Sequence, residues 1–190
     1  VFQSLYEKGA KKRWNMPKEA DIAECKAAAI DPFFLEETQA AAELCVKHNK
    51  PFVTIDSRHD SYLHQHCEIN VVSKECTGCE EYRDKSIEEI YQLLTDTTEG
   101  LVIITRGEKD MIYGRKGQPM KSMKPFSVEV KSTLGAGDTF KAGCVYGLLK
   151  GMTDDEIVRF ASACSAIAIS RFPLPLNPPT LDEVNRILGG

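Results

Sequence analysis

Residues 132–143 read STLGAGDTFKAG, a run in which Gly135, Ala136 and Gly137 separate two segments of different periodicity. Upstream, PFSVEV (125–130) alternates apolar and polar residues as a strand does. Downstream, TFKAGCVYGLL keeps most of its apolar residues on one helical face, and Gly151 supplies a stop. The expected local structure is strand, glycine turn, Asp138, helix.

Residues with little or no side chain can present backbone N–H groups to an anion at the positive end of the following helix. Asp138 then has two readings. It is an acidic residue of the kind favoured in a first helical turn, or it is a general base set beside a phosphate to take the proton of an attacking hydroxyl. The run is not a Walker A loop, because no Gly-Lys-Ser/Thr follows, and G-x-G-x-x-G is absent.

The same twelve residues resemble the signature D-T-x-G-A-G-D-x-F-x-x-G of the PfkB family of ribokinase-like sugar kinases. The resemblance implies a three-layer α/β/α fold with a mostly parallel central sheet. It also implies Asp138 as catalytic base and the amides of Gly135, Ala136 and Gly137 as an anion hole. It covers nearly all of the chain but begins partway into the family pattern. The glycine-rich sugar-binding elements and small β lid of the family's N-terminal part have no match here, although Gly9 and Ala10 align with a Gly-Ala that follows the lid strands. Residues 1–20 are thus expected to be the end of the lid segment, and 21–190 the nucleotide-binding α/β portion.

Composition sets the class: 190 residues, 42% hydrophobic and 27% charged, suit one soluble domain with a real core. A net charge of −4 without a basic stripe argues against nucleic acid, and no run is long enough to span a membrane. The seven cysteines, odd in number and irregularly spaced, read as reduced thiols of a cytoplasmic protein.

In chain order, KEADIAECKAAA reads as a helix or helix end, AAIDPFF as a buried strand running into a loop, LEETQAAAELCVKHNK as an amphipathic helix and PFVTID as a strand. INVVS (strand), KSIEEIYQLLTD (helix), LVIITRG (strand) and DMIYGRKGQ (hairpin) continue the beat, with helices expected at 138–150, 154–171 and 180–188. Such alternation gives a mostly parallel sheet with ligands at the carboxyl ends of its strands.

Further site residues follow from the resemblance. LVIITRGEKD (101–110) is similar to the family's T-x-G-x-x-G nucleotide loop, making Thr105 and Gly107 nucleotide contacts with Arg106 and Glu108 beside them; Asp110 replaces the last glycine. On residues alone the stretch is equally a strand-to-hairpin turn. FASACSAIAISRF (160–172) resembles the late helix beside the adenine, with Ser162 at its polar position; Ala, Ser and Cys at this spacing also suit a closely packed helix. Ser132 replaces the signature's first Asp, and Phe172-Pro173 falls where a glycine is expected, which erodes a monovalent-cation site. In VVSKEC, Ser73 stands for the Asn and Cys76 for the Glu of the family's Asn-x-x-Glu magnesium element, leaving Glu75 as the substitute carboxylate. Ketohexokinase-like branches show a similar Val-Ser.

The expected function is Mg²⁺- and ATP-dependent phosphorylation of a hydroxyl, a hydroxymethyl group foremost, on a small sugar. The alternatives are a non-catalytic nucleotide- or sugar-binding regulator and a nucleoside kinase. The 190-residue piece is expected to be inactive alone, and to pair through the lid as a homodimer or with the missing N-terminal part. A rival constellation exists in His64, His66, Cys67, Cys76 and Cys79, but it has a single Cys-x-x-Cys pair and its histidines are expected in a loop. Metal analysis should accordingly find no stoichiometric zinc, and activity should respond weakly to potassium. One zinc per chain, lost on Cys76→Ser, would reverse this ranking.

Overall fold

The computed structural model describes residues 15–189, so Gly9, Ala10 and most of the 1–20 segment lie outside the described residues. Its centre is a six-stranded sheet with the strands in sequence order. Strands β1 (Ala28–Ile30), β2 (Phe52–Ile55), β3 (Ile69–Val72) and β4 (Leu101–Arg106) are parallel. β5 (Lys109–Gly114) and β6 (Lys121–Met123) return antiparallel. The helices are α1 (Glu19–Glu24), α2 (Glu36–Lys47), α3 (Tyr62–His66), α4 (Lys74–Thr77), α5 (Ile87–Asp96), α6 (Ala136–Leu149), α7 (Asp154–Ile169) and α8 (Leu181–Gly189).

Right-handed crossovers between parallel strands in sequential order place their connecting helices on one face of the sheet, leaving the other for a later part of the chain. The packing follows that rule. Leu101 and Ile103 of β4 join Val53, Ile69 and Val71 in a core closed by Phe140 and Cys144 of α6 and Ile157, Val158 and Ala161 of α7. The alternate residues Val102 and Ile104 face Ile90, Tyr91 and Leu94 of α5. Ile30 and Phe52 pack on Ala42 and Cys45 of α2. Burying a side chain of this size contributes about 1.5–3 kcal/mol, which makes β4, covered on both faces, the centre of the fold.

Helix boundaries follow local chemistry. Capping boxes start α5 at Ser86 with Glu89 and α7 at Thr153 with Glu156. Gly151 takes a left-handed φ of 66° after the end of α6, as expected for a stop. All seven cysteines are free thiols. Among the described residues no helix is long and apolar enough to cross a membrane.

Two expectations are corrected. PFSVEV is not a strand; the ladder ends at Met123, and residues 124–130 are irregular. Its alternation reflects one-sided packing: Phe126 rests against the α7–α8 cluster and under the Arg159 guanidinium, with no strand alongside to accept a ladder. His64 and His66 lie in the short helix α3, capped by Ser61, and not in a loop.

His64 is fully buried. Its Nδ1 accepts from Asn70 Nδ2 at 2.8 Å, and its Nε2–H donates to the Leu94 carbonyl at 2.9 Å, tying β3, α3 and α5 together. Burial holds the imidazole below its ordinary value, opposed by the Leu94 hydrogen bond and reinforced by His59. The unfolded chain therefore binds this proton more readily. Stability is fully present above the unfolded value of about 6.5 and is lost as pH falls through the folded one. The urea midpoint should drop between pH 7.5 and 5.5, and less so in His64→Gln; an equal drop in both proteins would remove His64 as the cause.

Candidate active site at the carboxyl edge of the sheet

Helix α6 opens at Gly135, whose φ of 82° is left-handed and sets the turn. The Gly135 carbonyl accepts from the Thr139 amide at 2.9 Å and from Thr139 Oγ1 at 2.8 Å. Ala136 N–H donates to the Thr133 carbonyl at 3.2 Å, which leaves the amides of Gly135, Gly137 and Asp138 without acceptors among the described residues. These donors sit at the positive end of a helix of 14 residues, an arrangement that attracts anions. The helix starts two residues ahead of the expected position, so Ala136 and Gly137 belong to its first turn.

Three contacts fix this helix start over the carboxyl ends of β1 and β2. A Cβ on Gly137 would stand 3.1 Å from Ile55 Cδ1, at the last residue of β2. Lys141 Nζ pairs with the carboxylate of Asp31, the residue after β1. Ser165 Oγ of α7 donates to the Ala136 carbonyl at 3.2 Å. Asp138 projects away from the core with its side chain 78% exposed, and Lys141 Nζ lies 3.9 Å from its Oδ1.

Thr105 and Arg106 are the last residues of β4, and Gly107 and Glu108 form the tight turn to β5, with Gly107 at a left-handed φ of 67°. Asp110 lies inside β5, so the stretch is a β-hairpin, the alternative open from the residues alone. Thr105 Oγ1 donates to the Val72 carbonyl at 3.4 Å, linking the ends of β4 and β3 at the same sheet edge. Ser162 is buried within α7, where the backbones of α6 and α7 approach so closely that a Cβ on Gly143 would fall 2.7 Å from Ala161 Cα.

Ser73 caps α4 by accepting the Cys76 amide at 3.1 Å. It is held in turn by Asp56, the residue after β2, which accepts from its N–H at 2.6 Å and its Oγ at 3.0 Å. Burial raises Asp56 above the ordinary carboxylate value, the two Ser73 bonds oppose that, and the Glu75 charge adds to it. Glu75 is exposed on α4, and burial pushes the Cys76 thiol up to about 12, so Cys76 offers no anionic ligand at neutral pH.

The zinc constellation does not form. Both ring nitrogens of His64 are engaged in hydrogen bonds and Cys67 Sγ donates to the His64 carbonyl. Among the described residues, the group whose ligand atoms lie within 4.8 Å of one another is His59, Asp60 and Glu81. Arg58 already pairs with both of those carboxylates, at 3.1 and 3.2 Å, so the group is an ion-pair network.

Sequence reasoning missed Asp31, Asp56, Lys141 and Ser165. Only Lys141 left a local signal, a cation inside the apolar run TFKAGCV.

Residues 12–178 match the description "pfkB family carbohydrate kinase", and the chain belongs to that family. It is 33% identical over 112 residues to the ribokinase of Haemophilus influenzae, covering 59% of this chain and 36% of that protein. Similarity to the 1-phosphofructokinase of the same organism is 36% over 108 residues, covering 52% and 34%. The fold superposes on Arabidopsis thaliana ribokinase, solved with ribose and ATP, with a TM-score of 0.78 at 16% identity, covering 96% of this chain and 62% of that one. The fold is ribokinase-like, and the chain spans less than two thirds of each of these proteins.

The left-handed turn at Gly135 yields a test. Gly135→Ala should destabilise by about 1–2 kcal/mol, because a side chain is strained at that φ and its Cβ would fall 2.6 Å from Leu174 Cδ2. Gly137→Ala, in helical backbone with only the tip of Ile55 near, should be close to neutral in urea unfolding. Equal effects would show that the turn is not what holds the helix start.

Proposed function

We propose that this chain carries the nucleotide site and the general base of an ATP-dependent kinase that phosphorylates a hydroxyl, foremost a hydroxymethyl, of a small sugar. The observation that carries the reading is the solvent-open carboxylate of Asp138 in the first turn of a helix whose leading amides lack acceptors, at the carboxyl edge of the parallel strands. A carboxylate beside an anion site is unfavourable unless a proton-bearing group lies between them, and a hydroxyl attacking phosphorus is such a group.

In this reading the amides of Gly135 and Gly137 receive the phosphate, joined by that of Asp138, while Ala136 lends its small side chain to the turn. Thr105, Arg106, Gly107 and Glu108 face the nucleotide from the β4–β5 hairpin, and Ser162 backs it from α7. Asp138 accepts the hydroxyl proton as the oxygen bonds to the γ-phosphorus and the bond to the ADP oxygen breaks. The preorganised amides stabilise charge on the transferred group. Oxygen donors suit magnesium, and Glu75, exposed and without an ion-pair partner among the described residues, is the side chain that would hold it through water. When bound, that ion offsets charge on the phosphates.

The names ribokinase and 1-phosphofructokinase among the relatives support a sugar as the class of acceptor without choosing one. In the full-length protein, Asp138→Asn should lower kcat by about 10²–10⁴ while ATP affinity shifts by less than about threefold. The measurement is ADP release over a sugar panel, with nucleotide binding by calorimetry. Near-normal turnover in the variant would overturn the assignment of the base.

A further inference from the structure

A phosphate and a carboxylate compete for the same positive helix end, and nothing in the glycine turn explains how both are tolerated within one turn of α6. We infer that Lys141 is the counter-charge that allows Asp138 to stand at a phosphate site, an inference that rests on the reading of Asp138 given above. It acts through Asp138 and is a positioning residue.

Three observations carry it. Lys141 has only 8% of its side chain exposed, and an ammonium so buried has to be paired. It is paired with Asp31, which arrives from the end of β1, 110 residues away in sequence. From that anchored place its Nζ reaches to 3.9 Å of Asp138 Oδ1, the one ion pair Asp138 makes among the described residues. The family signature leaves this position open, so the glycine turn and the base do not by themselves require a lysine.

The anchor matters because a lysine stem is flexible and strongly hydrated at its tip, and without a partner it would swing toward the phosphate or the solvent. Held by Asp31, the ammonium stays beside the base. There it reduces the repulsion between the Asp138 carboxylate and an incoming phosphate, an interaction that the 78% exposure of Asp138 keeps modest. The competing account is a simple staple between β1 and α6, whose loss would weaken nucleotide binding whatever stood at position 138.

A double-mutant cycle in the intact protein separates the two, with binding of the non-hydrolysable analogue AMP-PNP and magnesium read by calorimetry. Lys141→Met should raise the Kd about three- to tenfold when Asp138 is present. In the Asp138→Asn background the same change should move it by less than about twofold, and Lys141→Arg should bind nearly as the unaltered protein does. Equal weakening in both backgrounds, or none in either, overturns the inference. If Lys141→Met does not fold by circular dichroism, Asp31→Asn, which frees Nζ without emptying the space, should give a smaller weakening with the same dependence on Asp138. Asp138→Asn with undiminished turnover would sink the base while leaving this charge coupling readable in binding. A protein that binds no AMP-PNP would overturn both.

Discussion

The structure depends on how closely the start of α6 is pressed onto the ends of β1 and β2. The helix is hydrogen-bonded to neither strand, and its first turn is fixed by three contacts of different kinds. Gly137 is small enough to sit against Ile55. Lys141 is tied to Asp31. Ser165 holds the Ala136 carbonyl from the α7 side. A methyl at Gly137 would press only on the movable tip of Ile55, whereas an uncharged residue at 141 would leave the Asp31 carboxylate without its ammonium partner. The amides of Gly135, Gly137 and Asp138 find no acceptor among the described residues, and Gly137 and Asp138 are exposed.

That contact is possible because the sheet reserves one whole face for α6 and α7. The sequential parallel order of β1 to β4 sends α2, α3 and α5 to the opposite face. The strands therefore bury alternate residues against two helical layers, as Leu101 and Ile103 against Val102 and Ile104 make plain. The α6–α7 pair then packs backbone to backbone at Gly143 and Ala161, which lets the helix start reach the strand ends without tilting off the core. Fold and candidate site are linked by this layer: glycine serves close packing at 143 and the left-handed turn that opens the helix at 135.

Most of this was legible in the sequence where the signal is periodic or local. The strand–helix beat, the hairpin at β4–β5, the glycine turn and the position of Asp138 all follow from neighbours a few residues apart. PFSVEV misled because period-two alternation records which side chains are buried and does not say whether a second strand is present to accept the ladder; Phe126 is partly buried beside helices instead. The histidine–cysteine cluster was set aside on its single Cys-x-x-Cys pair; spacing could not add the stronger reason, that both His64 ring nitrogens are already committed to Asn70 and Leu94. Asp31 was invisible, and Lys141 showed only as a cation in an apolar run, because their pairing joins residues 110 apart in sequence.

The Ser73 departure from the family pattern looks different once its partners are known. Asparagine and serine both cap helices, and Ser73 keeps that role for α4 by accepting the Cys76 amide. Asp56, in a left-handed backbone at φ 49°, an uncommon conformation for a residue with a side chain, spends both carboxylate oxygens on Ser73. The junction between β3 and α4 is thereby fixed from β2, and Thr105 fixes it from β4 through Val72. Glu75 stands on the same short helix with its charge felt by Asp56. The shape of this edge is therefore set by contacts made outside the signature, from Asp56 on β2's side and Thr105 on β4's, and these hold the short helix that carries Glu75.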